Sequence, residues 1–204
     1  AITQTLENAV EKNQLAQALL FCGPRGVGKT SCARILAKKI NSRGKEDTDE
    51  DFAFNIFELD AASNNSVDDI RNLNEQVRIP PQVGTHKVYI IDEVHMLSVG
   101  AFNAFLKTLE EPPKHVIFIL ATTEKQKIIP TILSRCQSYD FKRISVKDCK
   151  KHLQKIAEDQ KIEFEEEALD LIAQKADGAL RDALSIYDRM VSFTNRSLTV
   201  KSVS

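Results

Sequence analysis

Short apolar runs alternate along the chain with stretches whose apolar residues recur every three or four positions. That alternation predicts strands separated by amphipathic helices, and so a parallel sheet covered on both faces. The strand-like runs are Ala18 to Cys22, "NIFELDAAS" (55–63), "HKVYIIDEV" (86–94), "HVIFILATT" (115–123) and "QSYDFKR" (137–143). Between them lie readable helical faces. Ser31 to Ile40 is helix-like. Val67, Ile70, Leu73 and Val77 follow Ser66, an N-cap candidate, and Pro80-Pro81 stops the run. Phe102, Phe105, Leu106 and Leu109 repeat the pattern before Pro112-Pro113, and that aromatic stripe reads as core. From Ser145 onward the strand signals stop, and helical stretches follow around 146–160, 165–176 and 179–193. The expected fold is α/β, with five parallel strands flanked by helices over residues 1–143 and a small three-helix domain over 144–204.

The first strand runs into Gly23-Pro24-Arg25-Gly26-Val27-Gly28-Lys29-Thr30, and Ser31 continues into a helix. That is the spacing of a phosphate loop, whose glycines let backbone N–H groups turn inward around a phosphate chain. Lys29 would reach the β/γ-phosphates. Thr30 would offer its hydroxyl to Mg²⁺ from the first turn of a helix whose positive end lies beneath the anion. A glycine-rich turn alone would not need the strand before it, the helix after it, and both Lys29 and Thr30.

Composition narrows the field. The 204 residues, 42% of them hydrophobic, suffice for one substantial core and a small satellite domain. With 28 basic and 29 acidic side chains the formal charge is −1, so no global field draws the chain onto nucleic acid or anionic lipid, and any DNA contact is local. No apolar run approaches the roughly 20 residues that span a bilayer, and no signal-peptide pattern opens the chain, so no membrane association and a cytoplasmic location are expected. Cys22, Cys32, Cys136 and Cys149 form no C-x-x-C pair and read as reduced thiols in or near a core. His86, His95, His115 and His152 are scattered and read as surface or strand-end residues. "SRGKEDTDED" (42–51) reads as a solvated surface connection rather than a metal site.

The pattern gains chemistry at "VYIIDEV", an apolar strand ending in Asp92-Glu93. Ligands of a doubly wound sheet gather at the carboxyl ends of its strands, which places these acids beside the phosphate loop. Asp92 would join the Mg²⁺ shell, and Glu93 would orient or deprotonate the water that attacks the γ-phosphate. At the end of the next strand, Thr122 or Thr123 is in position to hydrogen-bond the γ-phosphate or that water. In "GALRDAL", Arg181 lies near a helix start, where folding over a nucleotide and pairing with Asp177 or the acids of its own helix are both open. Arg135 follows a Pro130-initiated turn, and Thr131 to Ser138 offers it no carboxylate, which points to a place at the protein's edge.

Together "GPRGVGKTSCAR", "ELDAASN", "VYIIDEVHMLS", "FNAFLKTLEEPP", "ILATTE", "TILSRCQ" and "GALRDALS" resemble the gamma/tau subunits of the bacterial DNA polymerase III clamp loader, which are AAA+ ATPases. The resemblance runs from about residue 15 to 190. It implies a motor that uses ATP and Mg²⁺ to open a ring-shaped sliding clamp and place it on primer-template DNA, within the DNA-directed DNA polymerase III holoenzyme. Its implied partners are delta, delta-prime and further gamma/tau copies. By position, Gly23 to Thr30 match the phosphate loop, Asp92 and Glu93 the magnesium and hydrolysis acids, and Thr123 the first sensor. Arg135 matches the arginine extended into a neighbouring subunit's site, and Arg181 the second sensor on the lid.

The resemblance also sets three contrasts. Family members carry a four-cysteine zinc knuckle between the first helix and the second strand, whereas residues 41–54 hold no cysteine, so no zinc is expected. Family members have an upstream "VGQ"-like element that helps hold adenine, and a collar domain after the lid. Neither is expected within these residues, so an isolated chain of this length is expected to hold the base less well and to be a monomer of little activity. Other P-loop ATPases, a kinase, a helicase or a non-hydrolysing scaffold subunit, share the phosphate loop. The chain shows no acceptor-binding motif and no second motor domain, and Lys29 and Glu93 argue against a scaffold.

Overall fold

The computed structural model describes residues 2–42, 52–194 and 197–203. Most of the charged connection expected at 42–51, and with it much of the segment expected to be free of zinc, lies outside the described residues. The chain divides into two compact units. One comprises the chain up to Gly23 together with Lys29–Phe141, and the other comprises Pro24–Gly28 with the chain from Lys142 onward.

The first unit contains, in order, α1 (Ile2–Glu11), β1 (Ala18–Cys22), α2 (Lys29–Asn41), β2 (Ile56–Asp60), α3 (Val67–Val77), β3 (Lys87–Asp92), α4 (Val99–Glu110), β4 (Val116–Thr122), α5 (Pro130–Leu133) and β5 (Gln137–Asp140). The five strands form one sheet in the order β2-β3-β4-β1-β5, and every neighbouring pair is parallel. Successive side chains of a strand face opposite ways, and the two cores divide accordingly. Leu20, Tyr89, Ile91, Phe118 and Leu120 join Ile70, Leu73, Phe102 and Phe105 of α3 and α4 on one face. Leu19, Phe21, Val88, Ile90, Ile117 and Ile119 join Leu6, Ala33 and Leu36 of α1 and α2 on the other. Because both faces are covered, β1 and β4 are buried along their whole length, which is why they read as continuous apolar runs.

Local chemistry fixes the ends of these elements. Ser66 caps α3, accepting from Asp69 N–H while the Asp69 carboxylate accepts from Ser66 N–H at 3.1 Å. Strand β2 stops at Asp60, well short of the expected residue 63, because Asp60 turns the chain by accepting from the N–H groups of Ala62 and Asn64. Strand β3 stops at Asp92 because Glu93 adopts a left-handed conformation, φ 48° and ψ 43°.

The second unit holds α6 (Val146–Asp159), β6 (Glu163–Phe164), α7 (Glu166–Lys175), α8 (Leu180–Phe193), β7 (Ser197–Leu198) and α9 (Val200–Val203). Cys149, Leu153, Leu169, Ile172, Ala183 and Tyr187 form its core. The three long helices lie where the periodicity puts them. The expectation that strands end at residue 145 needs correction, because β6 and β7 pair in parallel. Two-residue strands have no period to read, and their pairing is visible only once the helices have folded. Among the described residues no helix is long and apolar enough to cross a membrane.

Candidate active site

The carboxyl ends of β1, β3 and β4, adjacent in the sheet, supply the first unit's polar cluster. Gly23 ends β1 where the chain passes close to Phe141: a Cβ at Gly23 would lie 2.3 Å from the Phe141 carbonyl oxygen. Lys29 opens α2 and is only 6% exposed, with its Nζ donating to the Gly23 carbonyl at 2.7 Å. Burial of an ammonium demands strong acceptors, so its side chain is ordered in place. One residue on, the Thr30 hydroxyl donates to Asp92 Oδ2 at 2.7 Å. Asp92 also accepts from Glu93 N–H through Oδ1 at 2.9 Å. Two residues far apart in sequence thereby present a hydroxyl and a carboxylate side by side.

Glu93 lies next to this pair, and its carboxylate Oε2 accepts from the Thr123 hydroxyl at 2.9 Å and from Thr123 N–H at 3.3 Å. The two threonines of β4 and its edge are thereby distinguished. Thr122 is fully buried and faces His95, whose Nδ1 is 2.9 Å from Thr122 Oγ1, while Thr123 is half-buried and faces Glu93. His95 lies just past the end of β3, one of the two settings its isolation in sequence suggested, but its side chain is not on the surface. Its side chain is 5% exposed, 3.3 Å from Glu93 and 3.4 Å from Glu124. The signal was present only as "DEVH", and the threonine that completes the contact belongs to another strand.

Burial, more than any neighbouring charge, raises the thiols near the cluster. Burial pushes the Cys22 thiol up, against a partial opposing effect of Lys125, and pushes Cys136 up to about 11. All four cysteines are free thiols, as their spacing suggested. The Glu124 carboxyl is held below its ordinary value, chiefly by the hydrogen bond from Lys127, with a smaller contribution from His95. Among the described residues no group of three or more His, Cys, Asp or Glu side chains converges as a metal cage. Thr30 and Asp92 nevertheless fit Mg²⁺: both are hard oxygen donors, and this ion is commonly held by one or two carboxylates with phosphates and waters completing its shell.

The remaining predicted residues fall elsewhere. Arg135 lies in the first unit, where its Nη2 donates to Glu110 Oε1 at 2.5 Å and its Nη1 to the Thr131 carbonyl at 2.6 Å. The carboxylate missing from its own segment therefore comes from α4. Within the second unit, Gly26 has φ +78° and its carbonyl accepts from Arg181 N–H at 3.2 Å. Arg181 itself is exposed, and Asp177 pairs with Arg143 at 2.9 Å rather than with Arg181.

A parallel sheet in this strand order, with a phosphate loop after β1, paired acids after β3 and a threonine after β4, defines a P-loop NTPase of the AAA+ class. Solved structures agree on the fold: RuvB of Thermotoga maritima superposes with a TM-score of 0.76 at 21% identity, over 99% of this chain and 65% of that one. A DNA polymerase III gamma subunit-related protein from the same organism superposes at 0.67 and 20% identity, over 95% and 61%. Residues 1–145 match the family model described as DNA polymerase III, delta subunit, and residues 148–196 match the DNA polymerase III clamp loader subunit, ATPase lid domain. The chain belongs to the gamma/tau family of DNA polymerase III clamp-loader subunits. It is 50% identical to DNA polymerase III subunit tau of Bacillus subtilis over 98% of its length, and 41% identical to that of Escherichia coli over 100%. It spans 38% and 33% of those relatives.

Proposed function

We propose that this chain binds ATP with Mg²⁺ and hydrolyses it as a motor subunit of a clamp loader in the cytoplasm. It would act with delta, delta-prime and further gamma/tau copies to place a sliding clamp on primer-template DNA. The observation that carries the reading is the 2.7 Å hydrogen bond between Thr30 and Asp92, one residue from both Lys29 and Glu93. In this reading residues 1–143 are the nucleotide-binding domain and 144–204 the lid. Gly23, Pro24, Arg25, Gly26, Val27, Gly28 and Ser31 line the phosphates with Lys29 and Thr30.

Each side chain has a definable task. Lys29 exchanges the Gly23 carbonyl for β/γ-phosphate oxygens, a stronger charge-assisted partner. Thr30 and Asp92 would hold Mg²⁺, which would offset the negative charge of the phosphates. Glu93 takes the proton from the attacking water. The Thr123 hydroxyl has a single hydrogen to donate, so it serves Glu93 or the γ-phosphate but not both at once. That makes Thr123 a sensor in a physical sense: phosphate contact releases Glu93 to meet water. Arg181 reads the nucleotide from the lid, and Arg135 serves a neighbouring subunit's site.

The test compares two variants in the full-length subunit, assembled with its partners. Lys29→Ala should lose ATP binding, measured by equilibrium titration, because it removes a cation placed at the β/γ-phosphates. Glu93→Gln keeps size and hydrogen bonding but loses the base, so ATP should bind normally while turnover falls by about 10²–10⁴-fold. Normal affinity in the first variant, or normal turnover in the second, overturns the assignment. Stimulation of wild-type hydrolysis only when clamp and primed DNA are both added separates a loader from other P-loop ATPases.

A further inference from the structure

His95 is a buried ionisable side chain to which the proposed hydrolysis assigns no task. Its ring is nearly sealed from solvent and has an oxygen on each side. Nδ1 lies 2.9 Å from Thr122 Oγ1 and 3.3 Å from Glu93 Oε2, and Nε2 lies 3.4 Å from Glu124 Oε1. Thr122 Oγ1 in turn accepts from Glu124 N–H at 3.0 Å. The hydrogen-bond partner of Nδ1 is Thr122 Oγ1, and the same edge of the ring faces the Glu93 carboxylate at 3.3 Å, an ion-pair distance rather than a second hydrogen bond. Glu93 is held from its backbone as well, in a left-handed conformation that costs an L residue of order 1–3 kcal/mol and persists only where surroundings enforce it. The enforcing contacts on its side chain are Thr123 on one side and His95 on the other.

We infer that His95 is a positioning residue for hydrolysis: its Nδ1 edge, 3.3 Å from the Glu93 carboxylate, holds that group in place and is itself fixed by the bond to Thr122 at the end of β4. The two anchors differ in kind. Thr123 is half-buried and exchangeable for a phosphate, whereas the His95 side chain is only 5% exposed. When Thr123 turns away, His95 is the contact that keeps Glu93 aimed. Contacts of this kind, which orient a reacting group without touching substrate, are worth about 10–100-fold where tested in metal sites.

The inference rests on Glu93 being the base, and the experiment separates the two. ATP turnover and KM would be measured in the full-length subunit assembled with its partners, for His95→Phe, His95→Asn and His95→Gln, with Glu93→Gln as reference. Phe keeps the ring and loses the donor; kcat should fall by about 10–100-fold with KM for ATP little changed. Asn places an amide N–H where Nδ1 stands and should recover most of that rate, whereas Gln, nearer to His in volume, reaches past that point and should not. A role in packing alone predicts the reverse order, with Phe and Gln active and Asn impaired. That reversed order, or wild-type turnover in Phe, overturns the inference. If Phe does not fold, the ranking of Asn above Gln still decides it. In the Glu93→Gln background His95→Phe should add nothing to the loss. If Glu93→Gln itself turns over normally, the proposed function fails, whatever His95 does.

Discussion

Gly23 and Gly28 stand near opposite ends of the phosphate loop, and a methyl group at each would be resisted for a different reason. At Gly23 the added Cβ would lie 2.3 Å from a backbone oxygen of Phe141, which cannot swing aside as a side chain would. At Gly28 it meets nothing within 4 Å among the described residues, but φ of +94° strains any L residue. Gly28→Ala should therefore cost about 1–3 kcal/mol as backbone strain. Gly23→Ala should lose more, since a clash of about 1–3 kcal/mol is added to an unfavourable φ. Urea denaturation midpoints rank the two, and an equal or smaller loss at Gly23 would contradict the close approach to Phe141. Residues of this kind are legible because the loop's spacing is local. His95 is not, since Thr122 and Glu124 reach it only through the parallel pairing of β3 with β4. The carboxylate that Arg135 meets is hidden from the sequence in the same way, because Glu110 is 25 positions away on α4.

Helix α3 shows how much one element owes to its first turn. Its apolar face buries Ile70, Leu73 and Val77, but the exposed end is closed by the reciprocal pair of Ser66 and Asp69. Ser66→Ala removes the acceptor for Asp69 N–H at 3.2 Å and should cost about 1 kcal/mol. The same contact sets a pH dependence. The Ser66 hydroxyl and N–H hold the Asp69 carboxyl below its ordinary value of 3.8. A carboxyl depressed on folding contributes stability above its unfolded pKa and loses it as pH falls through the folded value. The cost of Ser66→Ala should therefore be full at neutral pH and shrink below about pH 3.8, where wild type loses its half of the pair too. Denaturation at the two pH values checks this, and a cost independent of pH would show that the carboxylate does not take part. The helix and its cap are readable because capping signals and periodicity occupy neighbouring positions. The paired β6 and β7 are not readable, because each is two residues long and its register depends on how α7 and α8 pack.

At the scale of the assembly, the remaining question concerns Arg135. Its ion pair with Glu110 has side chains 32% and 48% exposed, and exposed pairs of this sort contribute about 0–1 kcal/mol. A contact that weak parks the guanidinium without committing it to the fold. Under the proposed function Arg135 leaves Glu110 to meet charge developing at a neighbouring subunit's γ-phosphate, a contribution of about 10³–10⁵ in rate where such fingers have been measured. Two variants distinguish parking from structure. If the pair is structural, Glu110→Gln and Arg135→Ala should lower stability alike and leave hydrolysis alike. If Arg135 is a finger, Glu110→Gln should keep hydrolysis in the assembled complex, while Arg135→Ala abolishes it and leaves ATP binding by the variant subunit intact. The effect must also act in trans. Subunits with intact Arg135 and Lys29→Ala, mixed with Arg135→Ala subunits that keep Lys29, should recover hydrolysis wherever an intact finger faces an intact phosphate loop. Recovery in no mixture, or loss of nucleotide by the isolated Arg135→Ala subunit, would place the arginine's role within its own subunit.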